Sequence, residues 1–241
     1  MDQQLEGIVL RTIKYNDRYL IADMYTNKLG RASFLVPKSS SKRAKVKSSL
    51  FQPLSLLSFI IQDRTKGALY RITEVRVTTM FVDIPYDARK LSIAFFIADF
   101  LQKSLKEQEE NRPLYSFLYH SLVWLDNSSA EFSNFHLVFL LRLTRFLGIY
   151  PHLEDYVPNA YFDLLAADFS LHKPLHSSFI SQQEAQFLLQ LMRLNYRTMY
   201  LFKMTREQRN HALELVIDFY KIHLPELSTM KTMDVLKQLF I

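Results

Sequence analysis

The spacing of apolar residues changes once along the chain, near Pro85, and this change constrains the fold more than any other feature. Before it, short runs rich in Ile, Val, Leu and Tyr alternate with turn residues, which is typical of β-strands. After it, apolar residues recur every three to four positions, which is typical of amphipathic helices. The sequence therefore predicts an α+β protein in which the strands come first and the helices follow.

Five strands are predicted, at residues 5–13, 19–26, 31–36, 54–61 and 69–79. The short loop 27–30, which contains Gly30, lets the chain reverse between the second and third strands. In the last strand the apolar positions change parity at Thr73 and Glu74, which indicates a β-bulge of the kind that bends small barrels. A helical signal between strands three and four appears only around residues 48–51. This layout predicts a five-stranded OB-fold β-barrel over residues 1–81, with a generic small barrel or SH3-like sheet as the alternative.

The helical spacing of apolar residues predicts an all-α helical domain over residues 82–241, with an irregular insert at about 150–179. Helices are expected at 87–106, 113–125, 135–147, 181–194, 205–223 and 230–240. Ser181 with Glu184, and Thr205 with Gln208, have the spacing of capping boxes, so two of these helices have well-defined starts.

Positive charge is concentrated in the predicted barrel. Residues 1–81 contain 14 Lys and Arg against 6 Asp and Glu, whereas the remainder contains 16 against 18. Such an asymmetry points to a polyanionic partner, most commonly nucleic acid. The densest part is the segment 38–47, which has three serines, no acid and five basic residues: Lys38, Lys42, Arg43, Lys45 and Lys47. We interpret it as a mobile cationic loop that orders on phosphates, with a solvated spacer as the alternative.

An OB barrel binds single strands with a positive groove and with aromatic rings on which bases stack, worth about 1–3 kcal/mol per base. Tyr19 is the best stacking candidate, because it alternates with Asp23 and Tyr25 on a face predicted to point outward; core packing is the alternative for each aromatic residue. The full set of DNA-binding candidates is Arg11, Lys14, Tyr19, Arg31, Lys38, Lys42, Arg43, Lys45 and Lys47.

A second binding surface is predicted on the third helix. Arg142 and Arg145 lie three residues apart beside apolar residues, an arrangement that suits an acidic and hydrophobic peptide tail. Two arginines on a solvated helix face are the alternative.

Catalytic and metal-binding patterns are weak. With only four glycines the chain has no glycine-rich phosphate loop, and with no cysteine it has no thiolate ligand. His172 and His176 could bind zinc together with Asp163 or Asp168, but Pro174 between the two histidines disfavours the helix that would align them. We therefore expect no enzyme activity, no cofactor and no metal. The sequence also predicts no targeting or membrane segment, so we expect a cytoplasmic protein. Within the cytoplasm, the expected polyanionic partner makes the nucleoid its expected location.

Four segments in order resemble the bacterial RecO recombination-mediator family. They are LEGIVLRTIKYND at 5–17, LIADMYTNKLGRASFLVPKSSSKR at 20–43, FLLRLTRFLGIYPHLEDY at 139–156 and LPELSTMKTMDVLKQLF at 224–240. The individual motifs are loose, but the ordered set is specific and covers essentially the whole chain.

The resemblance implies a protein that binds single- and double-stranded DNA and anneals complementary strands without covalent chemistry. It also implies three partners: RecR, the C-terminal tail of single-strand binding protein and, indirectly, RecA, which is loaded onto the coated strand. Many RecO proteins carry a four-cysteine zinc site after the segment that here ends near Tyr156, and this chain departs from that pattern. We expect packing of Tyr156, Tyr161, Phe162, Leu164 and Phe169 to hold this segment instead. The rival functions are a non-catalytic OB-fold RNA-binding or structural module and, more weakly, a nuclease.

Overall fold

The computed structural model describes residues 2–38, 44–62, 69–106, 108–129, 132–225, 227 and 230–239. The chain forms two compact units, Met1–Asn127 and Ser128–Ile241. The predicted phosphate contacts Lys42 and Arg43, together with the serines at 39–41, lie outside the described residues.

The first unit begins with a closed barrel of five strands. These are β1 (Gln3–Lys14), β2 (Tyr19–Thr26), β3 (Gly30–Pro37), β4 (Leu56–Gln62) and β5 (Tyr70–Thr79), with a short 3-10 helix at Ser48–Leu50 between β3 and β4. Their order around the barrel is β1-β2-β3-β5-β4. β1 pairs with β4 to close the barrel, and β3 pairs with β5 in parallel. The OB-fold prediction is therefore confirmed.

Apolar side chains that alternate along each strand fill the barrel, among them Met24, Phe34 and Phe59. The predicted bulge in β5 is present: Ile60 pairs with Glu74 but Ile61 pairs with Ile72, which leaves Thr73 as the extra residue.

The prediction of an open outward face on β2 is wrong for two of its three residues. Tyr25 is 0% exposed and Asp23 is 4% exposed, whereas Tyr19 is half-buried. Helix α1 (Ala88–Ser104) packs against the neighbouring strand β1, so part of the outer barrel surface is covered. Alternation predicts the side of the strand to which a residue points, but not whether another element covers that side.

Two helices follow the barrel in the first unit. Asp87 caps α1 by accepting hydrogen bonds from the N–H groups of Arg89 and Lys90, and α2 spans Arg112–Asn127. Near the end of α2, the Asp126 carboxylate accepts three backbone N–H groups, those of residues 82–84, at 2.8–2.9 Å. The Lys90 ammonium, in a side chain only 2% exposed, donates to the Asp126 carbonyl at 2.7 Å and to the Asp83 carboxylate at 3.0 Å. This network ties the segment after the barrel to both helices.

The second unit is mainly helical. Its helices are α3 (Phe135–Leu143), α4 (Gln182–Met192), α5 (Arg206–His223) and α6 (Lys231–Leu239), with 3-10 turns at Leu153–Asp155 and Met199–Leu201. Both predicted capping boxes are present, at the starts of α4 and α5. Helix α3 ends four residues earlier than predicted, and turns lead from it to Gly148, whose φ of 71° is left-handed.

The segment predicted to be irregular contains a small sheet. Its strands are β6 (Tyr161–Asp163), β7 (Asp168–Ser170) and β8 (Phe179–Ile180), in the order β7-β6-β8. Aromatic rings pack around it: Phe169 lies 4.9 Å from Phe162 and 5.1 Å from Tyr156 between ring centroids, and Phe162 also contacts Phe219 of α5.

The residues around this sheet do not fit the four-cysteine zinc site with which the sequence was compared above. The chain has no cysteine, and the described residues include no cluster of three or more His, Asp or Glu side chains that could hold a metal. Instead, His176 Nε2 lies 3.0 Å from the Asp163 carboxylate, at the β6–β8 side of the sheet. Ring packing and this pair hold the segment. Within the described ranges, no helix is long and apolar enough to cross a membrane.

Candidate nucleic-acid interface

A cleft of about 610 Å³ opens on the first unit, between the strands β1 to β3, the start of β5 and the chain just after α1. We call it the Asp23 cleft. Its polar and aromatic lining residues are Arg11, Asp23, Arg31, Ser33, Tyr70, Lys106 and Gln108. Three of these side chains are cationic and one is anionic, so the cleft carries a net positive charge.

Asp23 organises the charges of the cleft. Its carboxylate accepts hydrogen bonds from Arg11 Nε at 2.6 Å and from the Ser33 hydroxyl at 2.5 Å, and Arg31 Nη2 lies 3.6 Å away. Antiparallel pairing places Asp23 directly opposite both Arg11 and Ser33. Burial raises the pKa of Asp23, but the hydrogen bonds from Ser33 and Arg11 and the two arginine charges outweigh it, so the pKa lies below its ordinary value. Asp23 is therefore an anion at neutral pH.

Arg31 holds helix α1. Its Nη1 donates to the carbonyls of Gln102 at 2.8 Å and Leu105 at 2.6 Å, and its side chain is only 21% exposed. Carbonyls in the last turn of a helix have no partner within the helix, and a nearby arginine is a favourable donor to them. The structure thus gives this predicted DNA-binding residue a structural contact that its sequence position did not suggest.

Arg11 is the more accessible arginine. Its side chain is 41% exposed, and its Nε is the atom that bonds to Asp23. Within the described part of the chain, no hydrogen bond is found for its two Nη groups. Arg11 is thereby oriented by Asp23 through Nε, and its two Nη groups remain as donors for a ligand.

Other predicted cations lie around the turn between β1 and β2. Lys14 is exposed, and the Lys38 ammonium donates to the Asn16 carbonyl at 2.6 Å. Tyr19 is next to them, with the Arg71 guanidinium 5.8 Å from its ring centroid. Lys38, Tyr19 and Arg71 therefore share one rim of the barrel.

The remaining described cations of the basic segment are Lys45, which lies beside β5, and Lys47, which precedes the 3-10 helix. Lys45 forms an ion pair with Glu74, and both side chains are well exposed. Lys47 is exposed as well. Exposed pairs contribute only about 0–1 kcal/mol, so Lys45 can exchange its partner for a phosphate at little cost.

Each of the two arginines predicted to bind a peptide tail lies over a tyrosine ring. The Arg145 guanidinium is 4.3 Å from the Tyr150 centroid and donates to its hydroxyl at 2.7 Å. The Arg142 guanidinium is 6.0 Å from the Tyr196 centroid, and its Nε is buried without a hydrogen-bond partner among the described atoms. Arg145 is exposed and Arg142 is half-buried, so the two differ in accessibility.

Sequence reasoning missed Lys106 and the anionic centre of the cleft. Lys106 follows a helix far along the chain from β1 and β3, and a single lysine at a helix end carries no signal of a distant cleft. Alternating charges along β2 could have pointed to Asp23, but only strand pairing shows that Arg11 and Ser33 are its neighbours.

A closed OB barrel with a cationic cleft lined by an aromatic residue is typical of nucleic-acid-binding proteins. Comparisons with known proteins agree with this class of protein and also show the family. The family described as "Recombination protein O N terminal" matches residues 1–81, and "Recombination protein O C terminal" matches residues 85–232.

Relatives of similar length match from end to end. The chain is 51% identical over 241 residues to DNA repair protein RecO of Bacteroides fragilis, and 49% identical over 240 residues to that of Phocaeicola vulgatus, with 100% of each chain covered. DNA repair protein RecO of Flavobacterium psychrophilum is 33% identical over 242 residues, again with 100% coverage of both chains. This chain belongs to the RecO family of DNA repair proteins.

Proposed function

We propose that this protein is a DNA repair and homologous recombination mediator. It binds single- and double-stranded DNA, anneals complementary strands and, with RecR, helps load RecA onto DNA coated by single-strand binding protein. The observation that carries the proposal is the closed barrel whose Asp23 cleft gathers Arg11, Arg31 and Lys106 around one tyrosine. The proposed role uses no nucleotide, no metal and no covalent step, and it puts the protein in the cytoplasm, on the nucleoid.

The proposed DNA surface combines the cleft with the cations around it. Arg11 and the exposed Lys14, Lys45 and Lys47 contact phosphates directly, and Lys38 extends the same surface. Lys42 and Arg43, which lie outside the described residues, are proposed as phosphate contacts from their charge in the sequence. Arg31 adds charge to the cleft while it holds α1. Neutralising two strands at once lowers their mutual repulsion and releases counterions, so base pairing then supplies the driving force for annealing.

Annealing of complementary strands coated by the cognate single-strand binding protein tests this function. The test variant changes Lys42, Arg43, Lys45 and Lys47 to Ala. The matched control changes Lys173, Lys203, Lys221 and Lys231 to Ala, which removes the same number of charges from exposed positions of the second unit. We expect rapid annealing by the wild type and by the control, and slow annealing by the test variant, with strong suppression by salt.

The outcomes separate the function from the site. Annealing by both variants at the wild-type rate would leave the function standing and remove the basic segment from the DNA surface. A wild-type protein that neither anneals DNA nor binds the coating protein would refute the mediator function. Preference for RNA of the same sequence would favour the RNA-binding alternative, and metal-dependent loss of the DNA would reveal a nuclease.

We propose Arg142 and Arg145 as the contact for the acidic tail of single-strand binding protein. The tyrosine rings beneath both guanidiniums support this, because ring contact orients a guanidinium, and the exposed Arg145 has further N–H groups for a carboxylate besides the Nη2 that donates to Tyr150. The test is binding of a labelled tail peptide to Arg145→Ala. Loss of a charge-assisted hydrogen bond predicts about 10-fold weaker binding or more, whereas Lys221→Ala serves as the unchanged control. Equal binding by both variants would refute this site.

A further inference from the structure

We infer that the Asp23 cleft is a subsite for one unpaired nucleotide of a single strand, with the base on Tyr70 and the phosphate between Arg11 and Lys106. This inference rests on the proposed DNA binding and adds a distinction between the surfaces that single-stranded and duplex DNA contact. Single strands enter the cleft, whereas duplex DNA contacts only the cations outside it.

The size and lining of the cleft support a nucleotide as the ligand. A volume of about 610 Å³ falls in the range of pockets that enclose a whole small molecule, and a bare phosphate would leave most of it empty. Tyr70 is a half-buried lining residue that packs against the barrel core, and its ring stacks on Phe34 with 5.9 Å between centroids and 30° between planes. A ring held by such packing offers a stacking surface without first losing rotamer freedom.

Charge sets the orientation of the nucleotide. The Asp23 anion lies in the cleft, is 4% exposed and offsets part of the charge of the two arginines beside it, so the interior attracts a phosphate less than the rim does. Arg11 binds Asp23 through Nε, and Lys106, just after α1, is an exposed cation that lines the same cleft. A phosphate therefore binds at the rim between these two cations, and the uncharged base lies inside.

Duplex DNA cannot use this subsite. Its bases are stacked and paired, and bringing one out costs a few kcal/mol, whereas a single strand offers bases already unpaired. The cleft thus predicts selectivity for single strands that the exposed lysines alone do not provide, since phosphate contacts are present in both forms of DNA.

The experiment measures the affinity of fluorescent DNA of about 15 nucleotides, as a single strand and as a duplex, by anisotropy. Tyr70→Leu is the test variant, Tyr70→Phe keeps the stacking ring, and Tyr86→Leu removes an exposed tyrosine outside the cleft. We expect Tyr70→Leu to weaken single-strand binding about 5- to 150-fold. Its duplex affinity and both affinities of Tyr86→Leu stay at the wild-type level, and Tyr70→Phe regains most of the single-strand affinity that Tyr70→Leu loses.

The phosphate contact has its own variant. Lys106→Ala lowers the slope of log K against log salt by about 0.7 for the single strand and leaves the slope for the duplex unchanged. Arg112→Ala, which removes an exposed charge of the same unit, alters neither slope. A photo-crosslink from iododeoxyuridine in the single strand to Tyr70 of the wild type, mapped by mass spectrometry, tests the subsite even where Tyr70→Leu fails to fold.

Equal single-strand affinities of Tyr70→Leu and Tyr86→Leu, or equal losses on single strand and duplex, would overturn the subsite. So would a crosslink that maps elsewhere. A wild-type protein that binds neither form of DNA would instead refute the proposed function itself, which distinguishes the two failures.

Discussion

Arg31 offers the sharpest test of how this barrel is built, because the sequence suggests a DNA contact and the structure shows a helix tether. Replacing Arg31 with Ala removes two hydrogen bonds to the α1 carbonyls, at 2.8 and 2.6 Å, and one of the two cations beside Asp23. Each bond from a charged donor contributes about 1.5–3 kcal/mol. Water can replace part of this, since the side chain is partly exposed, so we expect a net loss of about 2–4 kcal/mol in the free energy of unfolding.

Urea denaturation followed by tryptophan fluorescence measures this loss. Trp124 is the single tryptophan of the chain and lies in α2, so its fluorescence reports on the first unit. With a slope of about 2 kcal/mol per molar urea, the midpoint falls by about 1–2 M. Arg31→Lys keeps the charge but lacks the planar fork that reaches both carbonyls, so it restores only part of the loss.

The control is Arg112→Ala, whose guanidinium pairs only with the exposed Glu110 among the described residues and whose loss costs less than about 0.5 kcal/mol. A midpoint for Arg31→Ala equal to that of the control would refute the tether. If single-strand affinity were lost at unchanged stability, Arg31 would be a direct phosphate contact, as the sequence alone suggests.

Three further changes test other parts of the first unit. Gly7→Ala destabilises the protein by about 1–3 kcal/mol, because a Cβ there lies 3.0 Å from a ring carbon of Phe59 in the packed barrel; thermal unfolding measures it. Asp126→Ala costs about 2–4 kcal/mol, since it strands three backbone N–H groups, including that of the buried Ile84; urea denaturation measures it. Asp23→Asn flattens the acid end of the stability profile. Because the pKa of Asp23 is lowered in the folded state, its stabilisation is present above the ordinary value of 3.8 and is lost as pH falls through the lowered pKa.

A specific result would contradict each of these three predictions. A wild-type melting temperature for Gly7→Ala would mean that the barrel accommodates the methyl group. Asp99→Ala, which breaks an ion pair between residues four apart on α1, is the control for Asp126→Ala, and equal costs would deny the Asp126 network its role. For Asp23→Asn, a loss of stability below pH 3.8 as steep as that of the wild type would show that other carboxylates dominate acid unfolding.

Local features were predictable because local physics decides them. The bulge at Thr73 was predictable because an extra residue shifts the alternation of inward and outward side chains along a strand. The caps at Ser181 and Thr205 were predictable because they depend on atoms only three residues apart. The small sheet at residues 161–180 was not predicted, because strands of two or three residues are too short to show a period.

The candidate site was predictable only in outline. The excess of positive charge before residue 82 and the order of strands followed by helices are properties of the sequence, and they suffice to expect an OB barrel that binds a polyanion. Which cations are accessible was decided by the tertiary structure. Closure of the barrel and packing of α1 against β1 bring Arg31 to carbonyls that are more than 70 residues away in the sequence. They also place Asp23 beside two arginines and Lys106 in the lining of the cleft. A side chain's charge is a property of its type, but its availability depends on the partners that long-range packing places beside it.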